Sequence, residues 1–237
     1  MTTELQILIQ AYIDDFLKNK DLPYVVKPAI PMVWFGDLER YERSSKKVVT
    51  VALNPSLREF EGARFNIVSL NTGNVISRLE STLNAYFETN PYGWFKHFEN
   101  ALAALGASYY AQRASNTAVH IDIYSAIATD PTWGELTARQ KKNIDRRDLF
   151  KRLLVLLKPD VILFSADKKV FEEVFVSELQ FKYVCGNDRV EGKKGFYIKK
   201  YRNCNQVLVS GRNYRGTPFG GIDGETVAEV ISGMMSS

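Results

Sequence analysis

The sequence predicts an α/β protein, a three-layer α/β/α sandwich around a mainly parallel central sheet with a hairpin added toward the C-terminal end. Three observations predict it. Residues 47–53 (KVVTVAL), 118–124 (AVHIDIY) and 161–164 (VILF) are short, apolar and rich in β-branched side chains, and the first is apolar on both parities, as in a strand buried on both faces. Segments of helical periodicity separate these runs, which implies crossover connections and parallel strands. The 237 residues show no internal repeat, low-complexity tract or linker, so they read as one domain: a helix and cover segment over 1–46 and a core over 47–237.

Taken in order, Leu5, Leu8, Ile9, Tyr12, Ile13, Phe16 and Leu17 recur at helical spacing and predict an amphipathic helix over 3–19. Pro23, Pro28 and Pro31 break the next segment, and Val33, Trp34 and Phe35 suit a short strand or a covering loop. After the first strand, 57–74 reads as irregular, with Phe60 and Phe65 embedded in polar residues. Helices are expected over 74–87 and over 92–105, the second closed by Gly106. After the second strand, Asp130, Pro131 and Trp133 mark a loop, and one helical stretch from 136 runs through Leu157 to a stop at Lys158-Pro159. Another helix is expected over 168–179. Residues 195–202 and 206–210 read as a hairpin around Asn203-Cys204-Asn205, with a glycine-rich loop over 211–224 and a helix over 225–235 after it.

Composition narrows the function. Thirty-one Lys and Arg stand against 27 acidic residues, a net charge of +4 that permits a polyanionic partner without demanding one. Cys185 and Cys204 are too few for a disulfide framework, so they read as reduced thiols of a cytoplasmic protein. His97 and His120 have no ligand-like neighbours at short spacing, which argues against a metal or iron–sulfur cofactor. No apolar run approaches the roughly 18 residues of a membrane span, and no secretory leader is recognisable. Gly-Lys-Ser/Thr, GxGxxG after a strand and GxSxG are all missing. Trp34, Trp94 and Trp133 read as packing residues.

In an open parallel sheet, ligands bind beyond the carboxyl ends of the strands. That rule nominates Asn54-Pro55-Ser56, residues 122–125 with Asp122 and Ser125, and residues 210–214. Proline after Asn54 favours an extended backbone at the strand exit and stiffens the amide there. Such an amide can accept from a water and donate to a substrate oxygen, or Asn-Pro can simply open a turn.

With these residues in place, the sequence resembles the uracil-DNA glycosylase superfamily. VALNPS (51–56) is similar to its first motif, a strand ending in Asn-Pro or Asp-Pro. Phe65, eleven residues after Asn54, takes the place of the aromatic that stacks on the flipped base, with Phe60 in reserve. VHID (119–122) and LKPDVILF (157–164) resemble the base-reading and third strands, and VLVSGRNYRG (207–216) stands where the groove-entering second motif stands. The resemblance covers roughly residues 47–232. It implies a DNA partner and hydrolysis of the N-glycosidic bond of uracil or a related base, with no cofactor and no metal.

The resemblance assigns roles residue by residue. Asn54 positions the attacking water, beside Pro55 and Ser56. Phe65 stacks on the base and Asp122 reads its Watson–Crick edge. Arg212 takes the place of the motif's histidine in steadying the leaving base, because this chain has Ser210-Gly211-Arg212-Asn213 there. Ser210, Gly211, Asn213, Tyr214 and Arg215, with Lys199 and Lys200, contact DNA. Asp122 departs from the family's Asn, because an ionised carboxylate only accepts hydrogen bonds. Either the base carries an exocyclic amine, or Asp122 is protonated by burial, or it caps a loop while Tyr124 or Ser125 lines the pocket.

Basic residues form two clusters. Arg139, Lys141, Lys142, Arg146, Arg147, Lys151 and Arg152 lie along the predicted helix, diluted by Asp145 and Asp148. Lys193, Lys194, Lys199, Lys200 and Arg202 lie on the hairpin, interleaved with Phe196, Tyr197 and Tyr201. Both suit phosphate contacts or solvated faces. A catalytically silent nucleic-acid or nucleotide-binding module on the same fold, and an α/β enzyme acting on small molecules, are the alternative readings.

Overall fold

Aliphatic and β-branched residues without alternation leave a strand no face to turn to water, so its neighbours must cover both sides. The computed structural model describes residues 2–64, 74–187 and 195–236 and places the three predicted runs in one seven-stranded sheet. Its strands are β1 (Val48–Ala52), β2 (Ala107–Ser108), β3 (Asn116–Asp122), β4 (Val161–Phe164), β5 (Lys182–Asn187), β6 (Ile198–Arg202) and β7 (Val207–Gly211), in the order β2-β3-β1-β4-β7-β6-β5. β1 pairs parallel with β4, β4 with β7, and β2 with β3. The predicted hairpin is β6 and β7, antiparallel, and β5 extends it antiparallel on the outer edge. A separate two-stranded ribbon joins β8 (Asn213–Tyr214) to β9 (Thr217–Pro218).

The chain divides into two compact units. The first comprises Met1–Glu39, Leu53–Tyr92 and Val119–Lys158. It holds α1 (Thr3–Asn19), α3 (Val75–Asn84), α5 (Ala138–Ile144) and α6 (Arg147–Leu157), and most of α2 (Leu38–Arg43) falls outside it. α1 buries its predicted apolar face, with Leu8 and Ile9 fully enclosed, and packs on α6, which buries Leu149, Phe150, Leu153, Leu154 and Leu157. Phe35 forms an antiparallel bridge with His120 (N to O distances of 2.9 and 3.0 Å), so residues 33–35 resolve as a covering segment with one bridge.

The second unit comprises Arg40–Ala52, Gly93–Ala118 and Pro159–Ser237. It holds α4 (Glu99–Ala103), α7 (Lys168–Val170), which runs on into a π-helix over Phe171–Glu178, and α8 (Gly224–Ser236). Val51 stands opposite Phe164, and Phe164 opposite Ser210, so the carboxyl ends of β1, β4 and β7 are level.

Two helix expectations change. The stretch from 136 to 157 is not one helix: α5 ends and α6 begins at Asp145-Arg146, where both residues leave helical backbone angles. Local chemistry explains the break. Thr137 and Gln140 form a capping box that starts α5. Asp145 Oδ1 accepts from Arg147 N (3.1 Å) and the Arg146 amide donates to Tyr124 O (2.6 Å), which satisfies the first amides of α6 outside a continuous helix. The 92–105 segment is a 3₁₀ turn over Gly93–Phe98 that leads into α4.

Arg146 also donates to Asp15 at 2.6 Å, tying the start of α6 to α1 with an Asp side chain only 9% exposed. Arg146→Met is expected to destabilise the fold by about 2 kcal/mol, because it leaves that carboxylate without its cationic partner and with the Asn19 amide as its remaining donor. Urea denaturation should show a lowered midpoint with an unchanged slope.

Candidate active site

The segment leaving β1 is held by the segment leaving β3. Tyr124 N donates to Leu53 O (3.0 Å) and Thr129 N to Pro55 O (3.1 Å). Between these backbone bonds the Asn54 amide nitrogen faces Pro55 O (2.7 Å), Ile127 O (3.2 Å) and Thr129 Oγ1 (3.2 Å). Two of these partners are carbonyls, which only accept, so the nitrogen must be the atom on that side. The oxygen is thereby turned the other way. Among the described residues, Asn54 Oδ1 is the buried side-chain polar atom that has no hydrogen-bond partner. Such an atom is costly, and folded proteins rarely keep one without a use. The expectation that Asn54 also donates to substrate is corrected here: both hydrogens are engaged, and the free function is an acceptor.

Ser56 and Glu59 form a second local lock. Glu59 Oε2 accepts from Ser56 N and Ser56 Oγ, both at 2.8 Å, and the two close a capping box on the turn after Pro55. Glu59 is buried, and desolvation pushes its carboxyl up to about 7, against the opposing hydrogen bonds from Ser56 and with a further push from the charge of Asp122. Asp122 is itself buried, and its Oδ1 lies 3.7 Å from His120 Nε2, beyond hydrogen-bond length. Asn54, Glu59, His120 and Asp122 thus all lie in the first unit, where the exits of β1 and β3 are bonded together.

Other nominated residues have defined places. Ser125 is buried, and its Oγ accepts from Ile127 N (3.0 Å), which shapes the turn that presents Ile127 O to Asn54. Tyr124 stacks on Trp133 (centroids 4.4 Å, planes 11° apart), so both are packing residues. Phe60 is half-buried at the end of the Ser56–Glu59 turn. Phe65 lies outside the described residues.

The 210–219 segment belongs to the second unit and is rigidly built. Gly211 allows close approach: a Cβ there would sit 2.2 Å from the Phe219 ring. Asn213 Nδ2 donates to Ser165 O, and Phe219 N donates to Ser165 Oγ, each at 3.0 Å, so the residue just past β4 pins both ends of the loop. Arg215 (φ 51°) and Gly216 (φ 81°) form the two-residue connection of the β8–β9 ribbon, with positive φ at both positions as a type I′ turn requires. Tyr214 is exposed at its flank, with the Arg212 guanidinium 4.6 Å and the Arg215 guanidinium 5.3 Å from its ring. Ser210 is buried and hydrogen-bonds to the Tyr197 hydroxyl, so it supports the loop from within.

The basic clusters divide. Lys200 turns inward and donates to Met234 O at the end of α8, so it leaves the set of DNA-contact candidates. Lys199 is half-buried, with its ammonium 5.7 Å from the Tyr197 ring. Lys193 and Lys194 lie outside the described residues. On the helical cluster, Arg146 is held by Asp15 and Arg147 by Asp145 (3.1 Å), which places these two in structure maintenance.

Sequence reasoning did not single out Glu59, His120, Thr129 or Ser165. The Ser56-x-x-Glu59 spacing is a capping-box signature and was available as a signal. Thr129 and Ser165 emerge only from pairing across distant segments, and His120 from its place beside Asp122 on the buried β3. Among the described residues no cluster of three or more His, Cys, Asp and Glu side chains is arranged to hold a metal ion, and no helix is long and apolar enough to cross a membrane. Comparison with protein-family models, curated proteins and solved structures finds no match to this chain.

Two outcomes test this geometry. Asn54→Asp places a carboxylate oxygen against two carbonyls, and is expected to lower stability at pH 8 by about 2–4 kcal/mol, with part of the loss recovered in acid. Thermal unfolding of both proteins across pH measures it. Glu59 carries a raised folded pKa, so its contribution to stability is full below the ordinary carboxylate range and fades as pH rises through about 7. Wild-type stability should fall by about 3 kcal/mol over that interval from this group, and Glu59→Gln should flatten that part of the profile.

Proposed function

We propose that the chain is a DNA-binding N-glycosidase of the uracil-DNA glycosylase type, with the helices disposed on both faces of its sheet as a three-layer sandwich. One observation carries the reading: a half-buried amide at the exit of the first core strand, with its nitrogen clamped and its enclosed oxygen left without a hydrogen-bond partner. An acceptor of that kind orients a water by taking one of its hydrogens, leaving a lone pair free to approach the sugar C1′. As the glycosidic bond breaks, its electron pair leaves with the base and positive charge develops on the sugar; the water oxygen then bonds to C1′, and the proton it sheds passes through solvent to the base anion. Asn54 is neutral, so it orients the water and does not act as a strong base.

Arg212 and Arg215, held against Tyr214, supply the cationic and aromatic character that a strand-contacting loop needs. Asp122 supports a base that offers a donor, such as an exocyclic amine, over one that presents only a carbonyl at that edge. A specific observation also favours the silent binding module. The 210–216 loop has no imidazole to stabilise a departing base anion, while its Arg–Tyr–Arg arrangement suits binding by itself.

Labelled single- and double-stranded DNA containing uracil, hypoxanthine or hydroxymethyluracil, incubated with protein and then cleaved with alkali, separates the two. Excision is expected, reduced about 100-fold or more in Asn54→Ala. Arg215→Ala should weaken binding and reduce the salt slope by about one. Salt-sensitive binding without abasic sites would establish the silent module instead, and neither binding nor excision would end the nucleic-acid reading.

A further inference from the structure

The second unit contains a cleft of about 370 Å³ that the glycosidase reading does not use. Its size falls in the lower part of the range for small-molecule sites, roughly 300–1,000 Å³. One wall carries Lys96, His97 and Asn100, from the 3₁₀ turn over Gly93–Phe98 and the start of α4. The facing wall is formed by the 217–224 loop and the first turn of α8, with Thr217, Ile222 and Val227.

The walls are fixed by contacts within the unit. Trp94 Nε1 donates to Gly216 O (2.7 Å), α4 packs on α8, and Asn100 is seated so closely on Gly224 that a Cβ there would lie 1.8 Å from its amide nitrogen. The cleft is therefore preformed, which lowers the ordering cost of binding.

Its chemistry is asymmetric. Among the described residues the lining includes an ammonium, an imidazole, an amide and a hydroxyl, and no carboxylate. Burial, with help from the Lys96 charge, holds the His97 imidazole below its usual range. Ile222 and Val227 supply an apolar surface facing these donors. Gly221, between the lining residues Gly220 and Ile222, lies against a cation–aromatic pair: a Cβ there would be 3.5 Å from Tyr214 Cγ and 3.7 Å from Arg212 Nη1. Donors without acids suit a phosphate, and an apolar wall beside them suits a flat organic body.

We propose that this cleft binds a nucleoside monophosphate, with the phosphate on Lys96 and Asn100 and the nucleoside against the apolar wall. The site lies wholly in the second unit, so it stands whether or not Asn54 supports base excision.

His97 is the reporter. The chain has two histidines, and His120 is 1% exposed, so the two imidazoles are separable by NMR. The full chain is titrated with UMP and AMP, with uridine and inorganic phosphate as separate probes at matched ionic strength. Saturable movement of the His97 signals is expected with the monophosphates, together with a rise in its titration midpoint, because a bound dianion favours the imidazolium. Binding should be at least about tenfold weaker for uridine and for phosphate alone, a margin of roughly one well-made contact. Lys96→Ala and Asn100→Ala, both at exposed positions, should each weaken UMP binding, while Lys168→Ala, exposed and outside the cleft, should leave it unchanged. Phosphate matching UMP, no saturation with either nucleotide, or unaltered binding in both cleft variants would overturn the proposal.

Discussion

Burial of β1, β4 and β7 denies their backbone amides and carbonyls any contact with water, so each must be satisfied by the neighbouring strand. That requirement fixes the register that makes Val51, Phe164 and Ser210 level. The consequences run down the chain. β4 ends where Ser165 can hold Asn213 and Phe219, and β1 ends at Ala52, just before the segment that carries Asn54. The chemistry-bearing groups extend from strands that have no freedom to slide, because a shift of one residue would exchange the faces of every side chain.

Two forms of polar organisation result. In the first unit, polar groups are buried or half-buried and engaged with one another: the Asn54 nitrogen on carbonyls, Ser56 on Glu59, with Asp122 3.7 Å from His120. Among the described residues Asn54 Oδ1 is buried without a hydrogen-bond partner, and the carboxyl of Glu59 is lifted by desolvation. Unsatisfied and perturbed groups concentrate where a fold keeps capacity for a ligand. In the second unit, polar groups are presented at the surface on a short ribbon and along a preformed cleft, where solvent screens them until a partner excludes it.

The lysines and arginines illustrate why charge counts mislead. Lys200 is in the hairpin cluster by sequence, yet β6 places its stem in the interior and its ammonium on the last turn of α8, where a cation complements the exposed carbonyls. Arg146 and Arg147 lie in a run of basic residues, yet each is bonded to a carboxylate. Arg212, two residues before Tyr214, and Arg215, directly after it at the start of the β8–β9 turn, both lie over the one ring.

Apolar patterning alone determined the α/β class, the core strands and the amphipathic helix α1, since burial on one face or two leaves a periodic trace. It also marked Asn54, because a strand ending in Asn-Pro is a local feature. Local patterning did not reveal β2 and β5, which are a two-residue strand and an exposed edge strand, or the division of α5 from α6, which rests on Asp145 and on a bond to Tyr124. Only the tertiary structure decided which end of the Asn54 amide is open and that Ser165 anchors the 213–219 loop. Those facts depend on partners some fifty to seventy-five residues away, such as Thr129 for Asn54 and Ser165 for Phe219. Hydrogen bonds across such separations leave no periodicity in the chain, because they are set by where strands end in space.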